Sequence, residues 1–294
     1  MRNSKYVVCL LGLTLLALTA AAAAPALKFT FKDVMVPGAN ETDTYAINDK
    51  GVITGDYIDS AGVQHGMIIN GKKVTTIDNS SCTSVLSFYG INSFQTLAGW
   101  CNSPSIAFTY SKGKFTTISP PGTISTQANG INDKGDVVGS YTDSSNAQHG
   151  FVLKGTTYTT LNPPGVSTAL VAAWSINNAG VIGIYGLNSA ETGYISFTTK
   201  NDGKTYKSFA YSKAGSEGTA IHAVANNGDI DGTYFDSAVT AHGVLFHKNK
   251  YYPFSDPNAG TVGTRADGLN IKMQIVGRYT DSSSITHGFE AKAK

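Results

Sequence analysis

From residue 43 to residue 78 apolar and polar side chains alternate in four short runs, 43–48, 52–59, 65–70 and 73–78, rich in Val, Ile, Thr and Tyr. Alternation over four to eight residues is the period of a strand with one buried face. The breaks between runs carry turn chemistry. The first reads Asp49-Lys50-Gly51, and its later counterparts read Asp133-Lys134-Gly135, Asn178-Ala179-Gly180 and Asn226-Asn227-Gly228. Glycine closes each because a tight hairpin needs a positive φ. Little of the chain beyond its first two dozen residues has helical patterning, so an all-β protein is expected.

The four-run pattern recurs. Aligned on an apolar-Asn step, copies start at Ile47, Ile91, Ile131, Ile176, Val224 and Leu269, spaced 44, 40, 45, 48 and 45 residues apart. The fifth is the loosest, with Ala225 in place of the Asn. Such a period means stacked or circularly arranged supersecondary units, and four strands in each of six copies suits the blades of a propeller. The chain ends separate a ring from a linear solenoid. The sixth copy stops after its third strand, 288–292, and residues 29–38 occupy the place that 113–122 hold before the third copy: Gly38 precedes Asn48 by ten residues, as Gly122 precedes Asn132. A strand donated by the N-terminus closes a ring and hides both sheet edges. The expectation is a six-bladed β-propeller of four-stranded blades, one domain over residues 24–294, with 29–36 completing the last blade.

The copies share Gly130-Ile131-Asn132, the spacing of Gly135, Gly139 and Tyr141, His149-Gly150-Phe151 and Pro163-Pro164-Gly165, with their relatives. These steps resemble the HAF-type extracellular repeat, named for a His-Ala-Phe step, over nearly the whole mature chain. The resemblance implies a secreted bacterial repeat protein and brings no catalytic residues with it. Copies two and four depart from it, with Ile106-Ala107-Phe108 and Thr192-Gly193-Tyr194 at the His step.

The first residues change the picture of charge and compartment. Arg2 and Lys5 precede an apolar run from Tyr6 to Leu18 and an alanine tract, Ala20 to Ala24. This is the signature of a secretory signal peptide, here residues 1–23, with Pro25 disfavouring a cut directly after Ala24. Removing Arg2 and Lys5 from 22 basic residues leaves 20, against 20 acidic ones. A neutral chain argues against nucleic acid as a partner, and no later stretch reaches the ~20 apolar residues of a membrane-spanning helix. The protein is expected to be secreted or periplasmic. In that oxidising setting the two remaining cysteines, Cys82 and Cys101, are expected to form a disulfide. No cofactor or metal motif is present, and the oligomeric state is left open.

Four histidines, His65, His149, His242 and His287, each follow an aspartate by six residues: Asp59, Asp143, Asp236 and Asp281. Copies two and four lack both members, so a mutual Asp-His or a turn-capping hydrogen bond across the loop between strands two and three is expected, as scaffold and not as a metal site. The Asp-x-Gly hairpins lack the oxygen ligands and closing Glu of a calcium loop and read as turns.

Function is sought where the copies differ. Two positions before each anchor stand Tyr45, Tyr89, Asn129, Trp174, His222 and Asp267; four before it stand, among others, Asp43 and Arg265. The intervening position is always small, from Ala46 and Gly90 to Gly268, as crowding between inner strands requires. Strand alternation puts both variable sets on one side, lining a channel mouth. Ring faces with a few charged or amide groups are how sugars are held, so Tyr45, Tyr89, Asn129, Trp174, His222, Asp267, Asp43 and Arg265 are candidate ligand contacts. The opposite reading, in which Trp174 and the tyrosines plug the channel, stays equally open. If the site is catalytic, His222 and Asp267 form the acid-base pair. Asp231 stands where Val138 and Val276 stand in other copies and needs a partner if buried. The readings carried forward are a binding propeller engaging carbohydrate or another extracellular ligand, a polysaccharide lyase or glycoside hydrolase on the same scaffold, and a structural cell-surface repeat.

Overall fold

The computed structural model describes residues 27–103, 105–200 and 203–294. The expected signal peptide, 1–23, lies outside the described residues. The described chain is made of strands and turns, and no helix among the described residues is long and apolar enough to cross a membrane.

The first copy forms strands Glu41–Ile47, Ile53–Ile58, Gln64–Asn70 and Lys73–Ile77, paired in sequence order as an antiparallel meander. The same meander recurs over 86–118, 123–161, 166–209 and 219–254. The sixth unit has strands Gly263–Leu269, Gln274–Thr280 and Thr286–Ala293, and its fourth strand is Phe29–Val34, antiparallel to the third with Phe29 opposite Ala293 and Val34 opposite Gly288. The N-terminal strand thus lies where the ten-residue offset put it, two residues shorter.

By hydrogen bonding the chain forms five sheets instead of six, because units five and six are joined by one parallel bridge, Ala241 to Gly263. Gly263 has a φ of 91° and its α-carbon lies against the backbone of Ala241, an approach that only a residue without a Cβ tolerates. The rest of each unit keeps its own four-stranded pairing.

The apolar face of each unit packs on the next. Hydrophobic clusters join units one and two through Ile77 and Phe88, two and three through Ala107 and Phe151, three and four through Leu161 and Ile184, four and five through Phe209 and Ile230, and five and six through Phe254 and Phe289. A further cluster joins Val34 and Val276 of unit six to Ile53 and Met67 of unit one. The innermost strands approach so closely that a Cβ on Gly130 would come 2.9 Å from Trp174 O, and one on Gly268 2.8 Å from Ala46 Cα. That approach is the reason for the small residue before every anchor.

The anchor asparagines form a girdle at one end of the axial space. Asn48, Asn92, Asn132 and Asn177 each take two backbone N–H groups of their own turn on Oδ1 and donate Nδ2 to the anchor-position carbonyl of the next unit. Asn270 does the same toward Asn48 O, 3.1 Å away. Each asparagine thus shapes a hairpin and ties two units together.

At the other end the Asp-His bonds form as expected. His Nε2 lies 3.0–3.3 Å from the Asp carboxylate in all four units that carry the pair. The other carboxylate oxygen accepts two loop N–H groups, as Asp143 does from Ser145 and Ala147. A tyrosine of strand two packs on each imidazole, from Tyr57 on His65 to Tyr279 on His287. Units two and four replace this clasp. Cys101 stands at the tyrosine position of unit two and is bonded to Cys82. In unit four Asn188 keeps the loop-capping role, taking Ala190 N and Thr192 N on Oδ1.

Candidate functional site at the channel mouth

Each of Tyr45, Tyr89, Asn129, Trp174, His222 and Asp267 is the extra, unpaired residue of a β-bulge in the first strand of its unit. A bulge re-aims a side chain that regular pairing would send elsewhere. Simple alternation is therefore not what gathers these residues; a local irregularity repeated in every unit is.

The rings pack on one another across the axis. Tyr45 and Tyr89 have centroids 4.7 Å apart, Tyr89 and Trp174 5.4 Å, and Trp174 and His222 5.4 Å. Tyr185 of the second strand fits against both Trp174 and His222. Tyr45, Tyr89, Trp174, His222 and Tyr185 thus form one contiguous set of ring contacts. Below the rings lies a chamber of about 80 Å³, bordered by Asn129, Trp174, Ser175, His222 and Asp267 and floored by a collar of the six apolar anchor residues. Asn129 Nδ2 donates to Ala173 O, while its Oδ1, Trp174 Nε1 and Ser175 Oγ have no hydrogen-bond partner among the described residues.

The polar half of the site is organised by Arg278, which the sequence reading did not single out. Its Nη1 donates to Asp267 Oδ2 at 3.0 Å, its Nε lies 3.7 Å from Asp43 Oδ1, and its guanidinium lies over the Tyr45 ring at 5.0 Å. Burial works against its charge, but Asp267, Tyr45 and Asp43 more than compensate and hold it firmly protonated. His222 and Asp267 do meet, with Nδ1 3.7 Å from Oδ1, but Nδ1 donates to Ala266 O at 2.6 Å. Burial lowers the His222 pKa, so the imidazole is neutral at pH 7, enclosed by rings and 6% exposed. This geometry fixes His222 against Trp174 and Tyr185.

Asp43 and Asp56 stand directly opposite each other on strands one and two. Burial, and then the neighbouring Asp43 charge, push the Asp56 carboxyl up to about 7, and its Oδ2 has no hydrogen-bond partner among the described residues. Burial also raises Asp43, against the pull of Arg278. Above these groups a rim pocket of about 90 Å³ is bordered by Asp43, Arg265, Arg278, Tyr279, Thr280 and Thr286. Arg265 and Arg278 are cross-strand partners.

Asp56, Tyr185 and Arg278 all lie on the second strand. A signal for them exists: nine residues after the six anchors stand Asp56, Trp100, Ser140, Tyr185, Thr233 and Arg278, as variable as the first-strand set. Asp231 is buried, and neither carboxyl oxygen has a hydrogen-bond partner among the described residues. Burial, reinforced by Asp267, raises its pKa well above the usual carboxylate range and so favours the protonated acid. Among the described residues no group of three or more His, Cys, Asp or Glu side chains is arranged to hold a metal ion.

No protein-family model matches the chain, and no curated protein matches it in sequence. Solved structures do match in shape. A lectin from Aleuria aurantia, in complex with Fucalpha1-6GlcNAc, superposes with a TM-score of 0.54 at 12% identity, over 92% of this chain and 94% of that one. Virginiamycin B lyase from Staphylococcus aureus gives 0.51 at 10% identity, over 91% and 99%. TolB from Acinetobacter baumannii gives 0.57 at 8% identity, over 84% and 66%. These are β-propeller structures, and at such identities the likeness shows the fold alone: this chain has a β-propeller-like fold.

Proposed function

We propose that the protein is a secreted, six-bladed propeller of HAF-type repeats that binds carbohydrate at its channel mouth. The observation that carries the reading is the gathering of five bulged residues from five units, Tyr45, Tyr89, Trp174, His222 and Asp267, into one network of rings with Arg278. Half-buried Tyr89 and Trp174 offer ring surface for a sugar to stack on, and Asp43, Arg265 and Arg278 offer polar groups to orient it. Closure into six blades is supported by the Asn270 to Asn48 hydrogen bond and by the packing of Gly268 on Ala46, which repeats the contact between other units. The Cys82–Cys101 disulfide supports an oxidising compartment.

The test is gel retardation of purified residues 24–294 in a panel of soluble polysaccharides, with released reducing or unsaturated ends measured in the same samples. Retardation without product, weakened ~10-fold or more in a folded Trp174→Ala variant, is the expected result. Absence of retardation by every polymer would overturn it. A second reading, a hydrolase or lyase, rests on the Asp56 carboxyl, half-protonated near neutrality beside Asp43. Product release abolished by Asp56→Asn would establish that one.

A further inference from the structure

Charge at the rim is unevenly shared. Asp43 and Asp267 both turn to one guanidinium, Arg278, at 3.7 and 3.0 Å. Arg265, directly opposite Arg278 in the strand register, has the Phe235 ring 5.8 Å from its guanidinium carbon and no carboxylate partner among the described residues. Like charges placed directly opposite on neighbouring strands repel. Here one of the pair is compensated and the other is not, although Arg265 is only partly exposed to water. Both guanidiniums border the same rim pocket of about 90 Å³. Asp43 also borders it, and Asp43 Oδ1 has no hydrogen-bond partner among the described residues.

We propose that this pocket takes the carboxylate of an acidic sugar, a uronate residue of a polysaccharide, with Arg265 as its principal contact. This rests on the carbohydrate reading above and names its class. A guanidinium presents paired N–H donors in a fixed fork that matches a carboxylate in both charge and geometry. Asp43 and Asp267 are both engaged by Arg278, so Arg265 is the guanidinium with no carboxylate at ion-pair distance, and a single carboxylate suffices to meet it. A phosphate monoester, carrying nearly two negative charges, would also face the carboxylates of Asp43 and Asp267. Trp174 and Tyr89 lie deeper on the axis, where a neighbouring sugar of the same chain would meet ring surface.

The test is titration calorimetry of the whole mature protein with oligogalacturonates, with the same oligomers carboxyl-reduced to neutral sugars, and with a sulfated neutral glycan. The acidic oligomers are expected to bind ~10-fold or more tightly than the reduced ones, the value of a charge-assisted bidentate contact. Arg265→Gln should erase that difference, and Arg265→Lys should restore only part of it. Unliganded Arg265→Gln should unfold at the same or a higher temperature than the parent, because it removes a repulsion. Equal affinity for acidic and reduced oligomers, or an unchanged preference in Arg265→Gln, overturns the carboxylate assignment and leaves the carbohydrate reading standing. Tighter binding of the sulfated glycan overturns it in favour of sulfate. Failure of every saccharide to bind overturns both.

Discussion

The girdle of asparagines and the tier of rings are built three residues apart on the same strands, yet they behave oppositely. Asn48, Asn92, Asn132, Asn177 and Asn270 make the same set of hydrogen bonds in each unit, with both ends of the amide used. Tyr45, Tyr89, Asn129, Trp174, His222 and Asp267 are all different in surroundings, and Asn129 Oδ1 and Trp174 Nε1 are left without a partner among the described residues. Leaving a buried polar atom unmet costs more than a made bond returns. A chain that satisfies every amide at one level and leaves polar atoms open at the next is spending stability at the second level only. The girdle is scaffold, and the tier is where the proposed ligand site lies.

The sharpest way to break that contrast is to remove one girdle amide. Asn132 is 3% exposed; it takes Lys134 N and Asp136 N on Oδ1 and donates to Asn177 O and Asp136 Oδ2. Asn132→Ala leaves these groups unmet and is expected to cost ~2–4 kcal/mol, read as a lowered urea midpoint. Trp174→Ala should cost binding first. A loss below ~1 kcal/mol for Asn132→Ala would deny the girdle its scaffold role.

The girdle and the clasps were legible in the sequence because they recur: a residue that returns every 40 to 48 positions declares a shared job before any coordinate is known. The donated strand was legible for the same reason, through the equal offsets of Gly38 and Gly122. The tier was legible only as a set of differences. What brings it together, the bulge, depends on the register between strands, which a single sequence does not display. Arg278 escaped because attention to the first strand ignored its cross-strand partner, although its position varies as much. The Ala241–Gly263 bridge arises from one loop lying against a neighbouring unit and has no periodic trace.

A smaller effect comes from within the tier's own foundations. Asp231 is a buried acid with a raised pKa where two other units place valine. Asp231→Val, at a site lined by Ala223 and Leu245 across the register, is expected to stabilise the protein by ~1–3 kcal/mol at pH 7. The sign with pH follows from the raised pKa. The native state holds a proton that the unfolded chain releases above its ordinary value of 3.8. Parent stability therefore falls as pH rises from about 4, and the advantage of the valine variant should grow over the same range in unfolding midpoints. A variant less stable than the parent at pH 7 would give Asp231 a role that the carboxyl, and not its shape, fulfils.

The smallest effect separates one clasp from its sisters. In unit one both ring nitrogens of His65 face carboxylates, Asp78 at 2.7 Å and Asp59 at 3.3 Å, whereas His242 meets Asp236 and the hydroxyl of Ser255. The hydrogen bond to Asp78, opposed by some burial and reinforced by Asp59, raises the His65 pKa; loop N–H groups, the first from Val63, lower that of Asp59 against a small burial penalty. A raised histidine contributes stability that is full below its unfolded value near 6.5 and fades as pH rises through the folded one; a lowered aspartate contributes stability that is present above 3.8 and fades as pH falls. The clasp of unit one is therefore strongest from about pH 4 to 6.5, discounted for the water that reaches Asp78. His65→Gln should lower Tm by a few degrees at pH 5.5 and by less at pH 8.5. A deficit that is the same at both values would mean that His65 acts by packing on Tyr57 alone, and that unit one holds its loop no differently from the others.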